Sequence, residues 1–291
     1  HDRRLLRPVR PYSSARRMSR PGELEIVILG CGSSGGVPRG DGDWGDCNPE
    51  EPRNRRTRCS MLARRYGPDG TTSILIDTSP DLRQQALMAG VTHVDGVLYT
   101  HDHADQTHGI DDLRVFATRT RRRITAWMDS ATHSALTKRF DYIFESHHGY
   151  PAILEARHIP PHGEPWSVEG RGGTIPVVTF DQRHGPIRSV GYRLGGVAYS
   201  SDVSDLDQSA LQTVSGADLW VLDALRYTPH PTHAHLDKAL DWIARANVKR
   251  ALLTNLHIDM DYNALRRVLP DNVEVAFDGW KDRLPLNSSP S

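Results

Sequence analysis

Residues 100–109 read Thr100-His101-Asp102-His103-Ala104-Asp105-Gln106-Thr107-His108-Gly109. They follow directly on a short apolar run, Val97 to Tyr99, which reads as a buried strand. Two histidines two residues apart, with an aspartate two further on, aim three side chains into one small volume from a loop at a strand end. Imidazole and carboxylate together suit zinc, manganese or iron. A solvated polar loop is the competing reading. It does not account for this density of histidine and aspartate straight after a buried strand.

Outward from that loop the chain alternates strands and helices. Leu24 to Leu29 is an apolar run ending at Gly30, and Cys59 to Arg65 and Ile74 to Ile76 read as the next two strands. Ser79-Pro80 opens a helix that carries Leu82, Ala86 and Ala89 at helical spacing and stops at Gly90. Ile124 to Trp127 is a further strand. Residues 145–173 are rich in Pro, Gly and His and read as a long surface excursion. Beyond them Thr174 to Phe180, Val190 to Leu194, Val197 to Ser200, Leu219 to Leu222 and Ala251 to Thr254 read as strands, with Gly195-Gly196 as a hairpin turn. Leu236, Ala239, Leu240, Ile243 and Ala244 mark one face of an amphipathic helix, and Ala264, Leu265, Val268 and Leu269 mark the last. β-rich segments followed by βα units, twice over, predict two mixed sheets packed together with helices outside, in one α/β domain.

The 291 residues suffice for one large domain, and 37% of them are hydrophobic. We expect a disordered basic tail at 1–21, a single α/β domain at 22–284 and a flexible end at 285–291. Lys+Arg and Asp+Glu are both 36, so the formal net charge is zero and gives no global pull toward nucleic acid or membrane. No apolar run approaches a membrane span, and no signal peptide is visible, so the expected location is cytoplasmic. The three cysteines, Cys31, Cys47 and Cys59, form no CxxC pair, which argues against a disulfide framework and a structural zinc knuckle.

A metal centre needs more ligands, and three downstream positions offer them: His184, Asp202 and His257, each placed at or after the end of an apolar strand. Each alone reads as an ordinary surface or hydrogen-bonded residue. As a set with the first loop they read as a site. The Gly30 to Gly36 stretch is not a dinucleotide fingerprint, because Val37-Pro38-Arg39-Gly40 breaks any helix start. It reads as a tight turn that lets backbone approach the site.

The His-Asp-His-Ala-Asp motif at 101–105, followed in order by His184, Asp202 and His257, resembles the metallo-β-lactamase superfamily. Leu29-Gly30-Cys31-Gly32-Ser33-Ser34-Gly35-Gly36-Val37-Pro38-Arg39 and Asn54-Arg55-Arg56-Thr57-Arg58-Cys59-Ser60 resemble the branch that contains the cyclic phosphodiesterase of the carbon–phosphorus lyase pathway. That branch is itself similar to tRNase Z. The resemblance implies an αββα sandwich with a two-metal centre of zinc or manganese between the sheets. It implies that His101, His103 and His184 hold the first metal, that Asp105 and His257 hold the second, and that Asp202 bridges. The family usually has His where this chain has Gln106, a weaker neutral ligand, which makes the second metal the open question. His108 is a possible substitute two residues out of register.

A bound metal lowers the pKa of its water toward ~7, so the expected mechanism is attack by a metal-bound hydroxide. Asp105 and Asp202 would orient it. The leaving oxygen needs a proton, and the branch resemblance places His233 there; capping of the helix near Leu236 is the competing role for His233 and His235. Arg55, Arg56 and Arg58 are the expected substrate-phosphate ligands, with a solvated basic loop as the alternative, while Arg119, Arg121, Arg122 and Arg123 read as a solvated patch. The expected substrate is a small cyclic or nucleotide-like phosphodiester and the expected assembly a possible homodimer. A tRNase Z-like nuclease, an ester, lactone or thioester hydrolase and a non-catalytic metal-binding protein are the competing functions. Nucleic acid is a less favoured partner, because the domain shows no RNA-gripping arm.

Overall fold

The computed structural model describes residues 22–286. Among these, strands β1 (Glu23–Gly30), β2 (Ser60–Gly67), β3 (Gly70–Ile76), β4 (Gly96–Leu98), β5 (Ile124–Met128) and β6 (Leu154–His158) build one sheet. Strands β7 (Trp166–Val168), β8 (Ile175–His184), β9 (Ile187–Leu194), β10 (Val197–Ser200), β11 (Leu219–Asp223), β12 (Ala251–Thr254) and β13 (Val273–Val275) build the other. The chain then returns to the first sheet, where β14 (Lys281–Pro285) pairs antiparallel with β1. Each sheet has seven strands, mixed in direction.

The strands are apolar on both faces because both faces are covered. Ile26 and Ile28 point between the sheets and join Met61, Ile74, Leu98, Val177, Tyr192, Tyr199, Val221 and Leu252. Their neighbours Val27 and Leu29 point the other way, into a core with Leu62, Leu75 and Val97. That outer core is closed by Leu82 and Ala86 of α1 (Leu82–Ala89), by Phe116 and Ala117 beyond the short α2 (Ala104–Thr107), in α3 (Arg114–Thr120), and by Leu136 of α4 (Ser130–Arg139) and Ile143 of α5 (Asp141–Phe144). Across the molecule, α6 (Gln208–Val214), α7 (Leu236–Ala246) and α8 (Tyr262–Val268) cover the second sheet over Ala198, Trp220 and Leu222. The result is the αββα sandwich that the resemblance implies. Trp242 of α7 is 2% exposed in this core, and its loss to alanine costs about 3–5 kcal/mol.

Several expectations need correction. The stretch 145–173 is not all surface excursion, since it contributes β6 and β7; β6 extends the first sheet by parallel pairing with β5, and β7 edges the second. The strand expected at 174–180 runs on to His184, because Asp181 to His184 hairpin onto Val190 to Ile187. Ser79 does not cap α1: its hydroxyl accepts from the amide of Asp81, and the helix starts at Leu82. Pro285 and Leu286 do not belong to a flexible end. Pro285 pairs with Glu23, and the Leu286 amide donates to the Gly22 carbonyl. The tail expected at 1–21 lies outside the described residues. No helix among the described residues is long and apolar enough to cross a membrane.

Candidate metal centre and active site

The parallel strands of both sheets end on the same edge, and their polar successors meet there. His101 and His103 follow β4, and Asp105 and Gln106 lie in α2. His184 ends β8, Asp202 follows β10, Asp223 ends β11, and Asn255 and His257 follow β12. Three of the turns are left-handed at a non-glycine residue: Asp77 (φ 61°), Asp202 (φ 52°) and Asn255 (φ 61°). Asp and Asn tolerate this region best, and strain of this kind gathers at functional sites. The glycine-rich loop after β1 lies against the same edge. A Cβ on Gly30 would sit 2.1 Å from the carbonyl oxygen of Arg58, so only glycine permits that approach.

His101, His103, His184 and Asp202 bring one ligand atom each to within 4.8 Å of one another. Asp202 Oδ2 lies 3.6 Å from both His101 Nε2 and His184 Nε2, and His184 Nε2 lies 3.3 Å from His103 Nδ1. Hydrogen bonds on the far side of the rings fix which nitrogens face inward. His184 Nδ1 donates to the Thr232 carbonyl at 2.6 Å. His101 Nδ1 donates to the Thr100 hydroxyl at 3.0 Å, and that hydroxyl donates in turn to Asp77 Oδ2 at 2.8 Å. The inward nitrogens of both rings therefore carry lone pairs. His101 Nε2 is buried with no hydrogen-bond partner among the described residues. Three imidazoles, two of them with lone pairs turned inward, and a carboxylate oxygen converging on one point fit a divalent ion. Burial keeps His101 neutral, lowering its pKa to about 3, and also lowers that of His184.

The remaining expected ligands stand differently. Gln106 is fully buried, and its Nε2 donates to Asp105 Oδ2 at 3.1 Å and to Asp202 Oδ1 at 3.3 Å. Asp202 Oδ1 also accepts from Ser201 Oγ at 2.8 Å and from Asn255 Nδ2 at 3.3 Å. His257 Nδ1 bonds Asp259 at 3.1 Å, and its Nε2 is 2.7 Å from an Arg39 guanidinium nitrogen. Asp105, Asp202, Asn255, His257 and Arg39 line the same cavity as His103 and His184, but His257 and Asp105 are outside the tight ligand group. His108 does not substitute. It is exposed and packs edge-on against Phe140, 5.7 Å between centroids.

His233 sits beside the centre, its ring 4.8 Å from that of His184. Its Nδ1 is 2.8 Å from Asp223 Oδ2. Burial opposes the charged ring, but the Asp223 carboxylate outweighs it and holds the pKa up at about 9. Asp223 is fully buried, which raises its own pKa to about 6 against the pull of His233. The helix-capping role falls away. His235 precedes α7 and makes no side-chain cap bond, and His233 is committed to Asp223. Burial, then repulsion from Asp202, raises Asp105 to about 6.

The arginine expectations fail for Arg56. It is 2% exposed and spends its guanidinium on Asn54 Oδ1 and the Met260 carbonyl, so it knits the loop to α8 rather than facing substrate. Arg58 pairs with Asp81 at 2.7 Å, and Arg55 stacks over Trp44. None of the three lines the cavity; Arg39 and Arg226 do. The Arg226 guanidinium is bound to the carbonyls of Thr228 and Pro229. Arg119, Arg121, Arg122 and Arg123 are exposed, as a solvated patch should be. Sequence reasoning missed Arg39, Asp77, Asp223 and Asn255. An Asp ending an apolar strand before a histidine-rich loop was the available signal for Asp223.

Comparison with known proteins agrees with this geometry. Residues 72–258 match the model of the beta-lactamase superfamily domain. The chain is 30% identical over 261 residues to the octanoyltransferase of Porphyromonas gingivalis, which covers 88% of this chain and 51% of that protein. It thus spans about half the length of that curated relative. Among solved structures, a new diphosphatase from the PhnP family superposes with a TM-score of 0.80 at 31% identity, covering 91% of this chain and 99% of that one. Zn(2+)-bound PqqB from Methylobacterium extorquens superposes with a TM-score of 0.67 at 19% identity, covering 88% and 99%, a likeness of fold.

Proposed function

The chain belongs to the metallo-β-lactamase superfamily, and we propose that it is a hydrolase that cleaves a small phosphodiester or diphosphate ester, a reading supported by its similarity to a PhnP-family diphosphatase. The observation that carries this reading is the His233–Asp223 pair, with His233 beside His103 and His184 in the wall of one cavity of about 490 Å³. A divalent ion, zinc or manganese, held by His101, His103, His184 and Asp202 would supply Lewis acidity there. The chain's own residues do the rest. Asp223 accepts from Nδ1 of His233, which keeps the ring protonated near neutral pH and leaves Nε2 to protonate the departing ester oxygen. Asp105, in the cavity wall, would orient a water toward phosphorus. Arg39, partly exposed in the same wall, is the cation available to a phosphoryl oxygen.

The size of the cavity and the zero net charge favour a small ester over a long RNA, which needs an extended basic track. The test is turnover of bis(p-nitrophenyl) phosphate, cyclic ribose phosphates and nucleoside diphosphate esters by zinc- and manganese-loaded protein. The expected result is turnover of at least one class that vanishes in His103→Ala. Hydrolysis of a carboxyl ester, lactone or thioester with no turnover of any phosphorus ester would overturn the reading.

A further inference from the structure

We infer that the centre is built for one divalent ion, and that the side chains of Gln106 and Arg39 stand in for the second. This rests on the proposed hydrolase reading only for the histidine half of the site. An ion beside Asp202 on its other face would need lone pairs from Asp105, Asp202 Oδ1 and His257. Each of those acceptors already has a nitrogen donor of the chain pointing at it. One amide group, Gln106 Nε2, bridges Asp105 and Asp202 at 3.1 and 3.3 Å. Asn255 and Ser201 add two more donors to the same Asp202 oxygen. Arg39 donates to His257 Nε2 at 2.7 Å, and Asp259 on the far side of the ring fixes the tautomer that makes this nitrogen an acceptor.

The orientation of the Gln106 amide follows from electrostatics. Turned the other way, its carbonyl oxygen would face two carboxylate oxygens, so Nε2 faces them and Oε1 is left buried without a partner among the described residues. The amide does what a cation would do, holding Asp105 and Asp202 together, and the Arg39 guanidinium supplies the positive charge. Unlike an ion, these donors cannot be removed by a chelator, and they leave one face of the centre fixed in charge. Residues that hold the first ion fit it; residues that would hold the second do not.

The test reads stoichiometry rather than activity. Zn2+ is titrated calorimetrically into metal-free full-length chain, and bound metal is counted by mass spectrometry after desalting, with Co2+ electron paramagnetic resonance to detect spin coupling between neighbouring ions. The expected result is one ion per chain and an uncoupled cobalt signal. The Gln106→His/Arg39→Ala variant frees the acceptors and adds an imidazole, and it should bind two ions with a coupled signal. Gln106→Glu, nearly isosteric, should also admit a second ion and guards against misfolding of the double variant, which circular dichroism would report. Two ions in the unaltered chain would overturn this inference and leave the hydrolase reading standing. One ion in the unaltered chain and in both folded variants would overturn the role given to Gln106 and Arg39. No ion at all would sink the hydrolase reading along with it.

Discussion

The two oxygens of Asp202 face opposite kinds of neighbour. Oδ2 looks at two imidazole nitrogens 3.6 Å away, both with lone pairs and neither with a proton to offer. Oδ1 looks at three hydrogen donors, from Ser201, Gln106 and Asn255. Ligand identity does not separate the two halves, because each holds histidine and aspartate. What separates them is where the donors point. In the histidine half Thr100, backed by Asp77, and Thr232 engage the outer ring nitrogens and turn the lone pairs inward. In the aspartate half Gln106 and Arg39 consume the lone pairs themselves. On the one-ion reading, a single carboxylate is half metal ligand and half hydrogen-bond acceptor.

The sharpest way to break this contrast is to remove one histidine from each half. His103→Ala should abolish tight metal binding and lower turnover by roughly a thousandfold or more, since one of four ligands is gone. His257→Ala should leave the bound ion in place, because its Nε2 is occupied by Arg39. Metal counting on both variants decides the matter. Equal loss of metal in the two would erase the distinction.

The next effect belongs to the proton donor between the halves. His233→Ala should cost about 10²–10⁴ in kcat with the bound metal retained. With the ring protonated below about 9, turnover should hold up to that pH and fall above it as the donor is lost. Asp223→Asn removes the carboxylate that raises the ring's pKa, so the alkaline break should move to lower pH. A break that stays put in Asp223→Asn would detach it from His233.

Smaller still is the outward support of the histidine half. Asp77→Asn keeps the shape but weakens the acceptor behind Thr100 and His101, and metal affinity should fall by about 10- to 100-fold. Affinity unchanged in a competition titration would show that Asp77 serves the turn at φ 61° and not the ligand.

These differences also show what one sequence can disclose. His101 and His103 were legible because their spacing brings them together, Asp105 because the same loop carries it to the cavity wall, and β1 through β5 because apolar runs between turn residues have few other uses. His184, Asp202 and His257 were legible as strand-end polar residues. Their partners were not. Asp223 meets His233 ten residues on, Asn255 meets Asp202 across 53, and Arg39 meets His257 across 218, and no local periodicity carries such pairings. β6 escaped notice because its exposed Glu155, Arg157 and His158 mask the pattern of an edge strand. The Arg55-Arg56-Arg58 run misled for a related reason. Residue type gives charge, but only the surrounding fold says whether a guanidinium faces substrate or is spent inside.

The smallest expected effect tests that last point. Arg55 is exposed and its guanidinium lies 5.1 Å from the Trp44 ring centroid, a contact worth about 0.5–1 kcal/mol at a surface site. Arg39 is the guanidinium in the cavity wall beside His257. Arg55→Ala should therefore leave KM for a turned-over phosphodiester within about twofold, whereas Arg39→Ala should raise it by roughly tenfold, equivalent to about 1.4 kcal/mol. Steady-state kinetics on the pair at fixed ionic strength separates local contact from general charge, since both variants lose one positive charge. Equal increases in KM would mean that substrate senses the summed field of the loop. An increase confined to Arg55→Ala would return the phosphate to the arginine run and leave Arg39 with His257 alone.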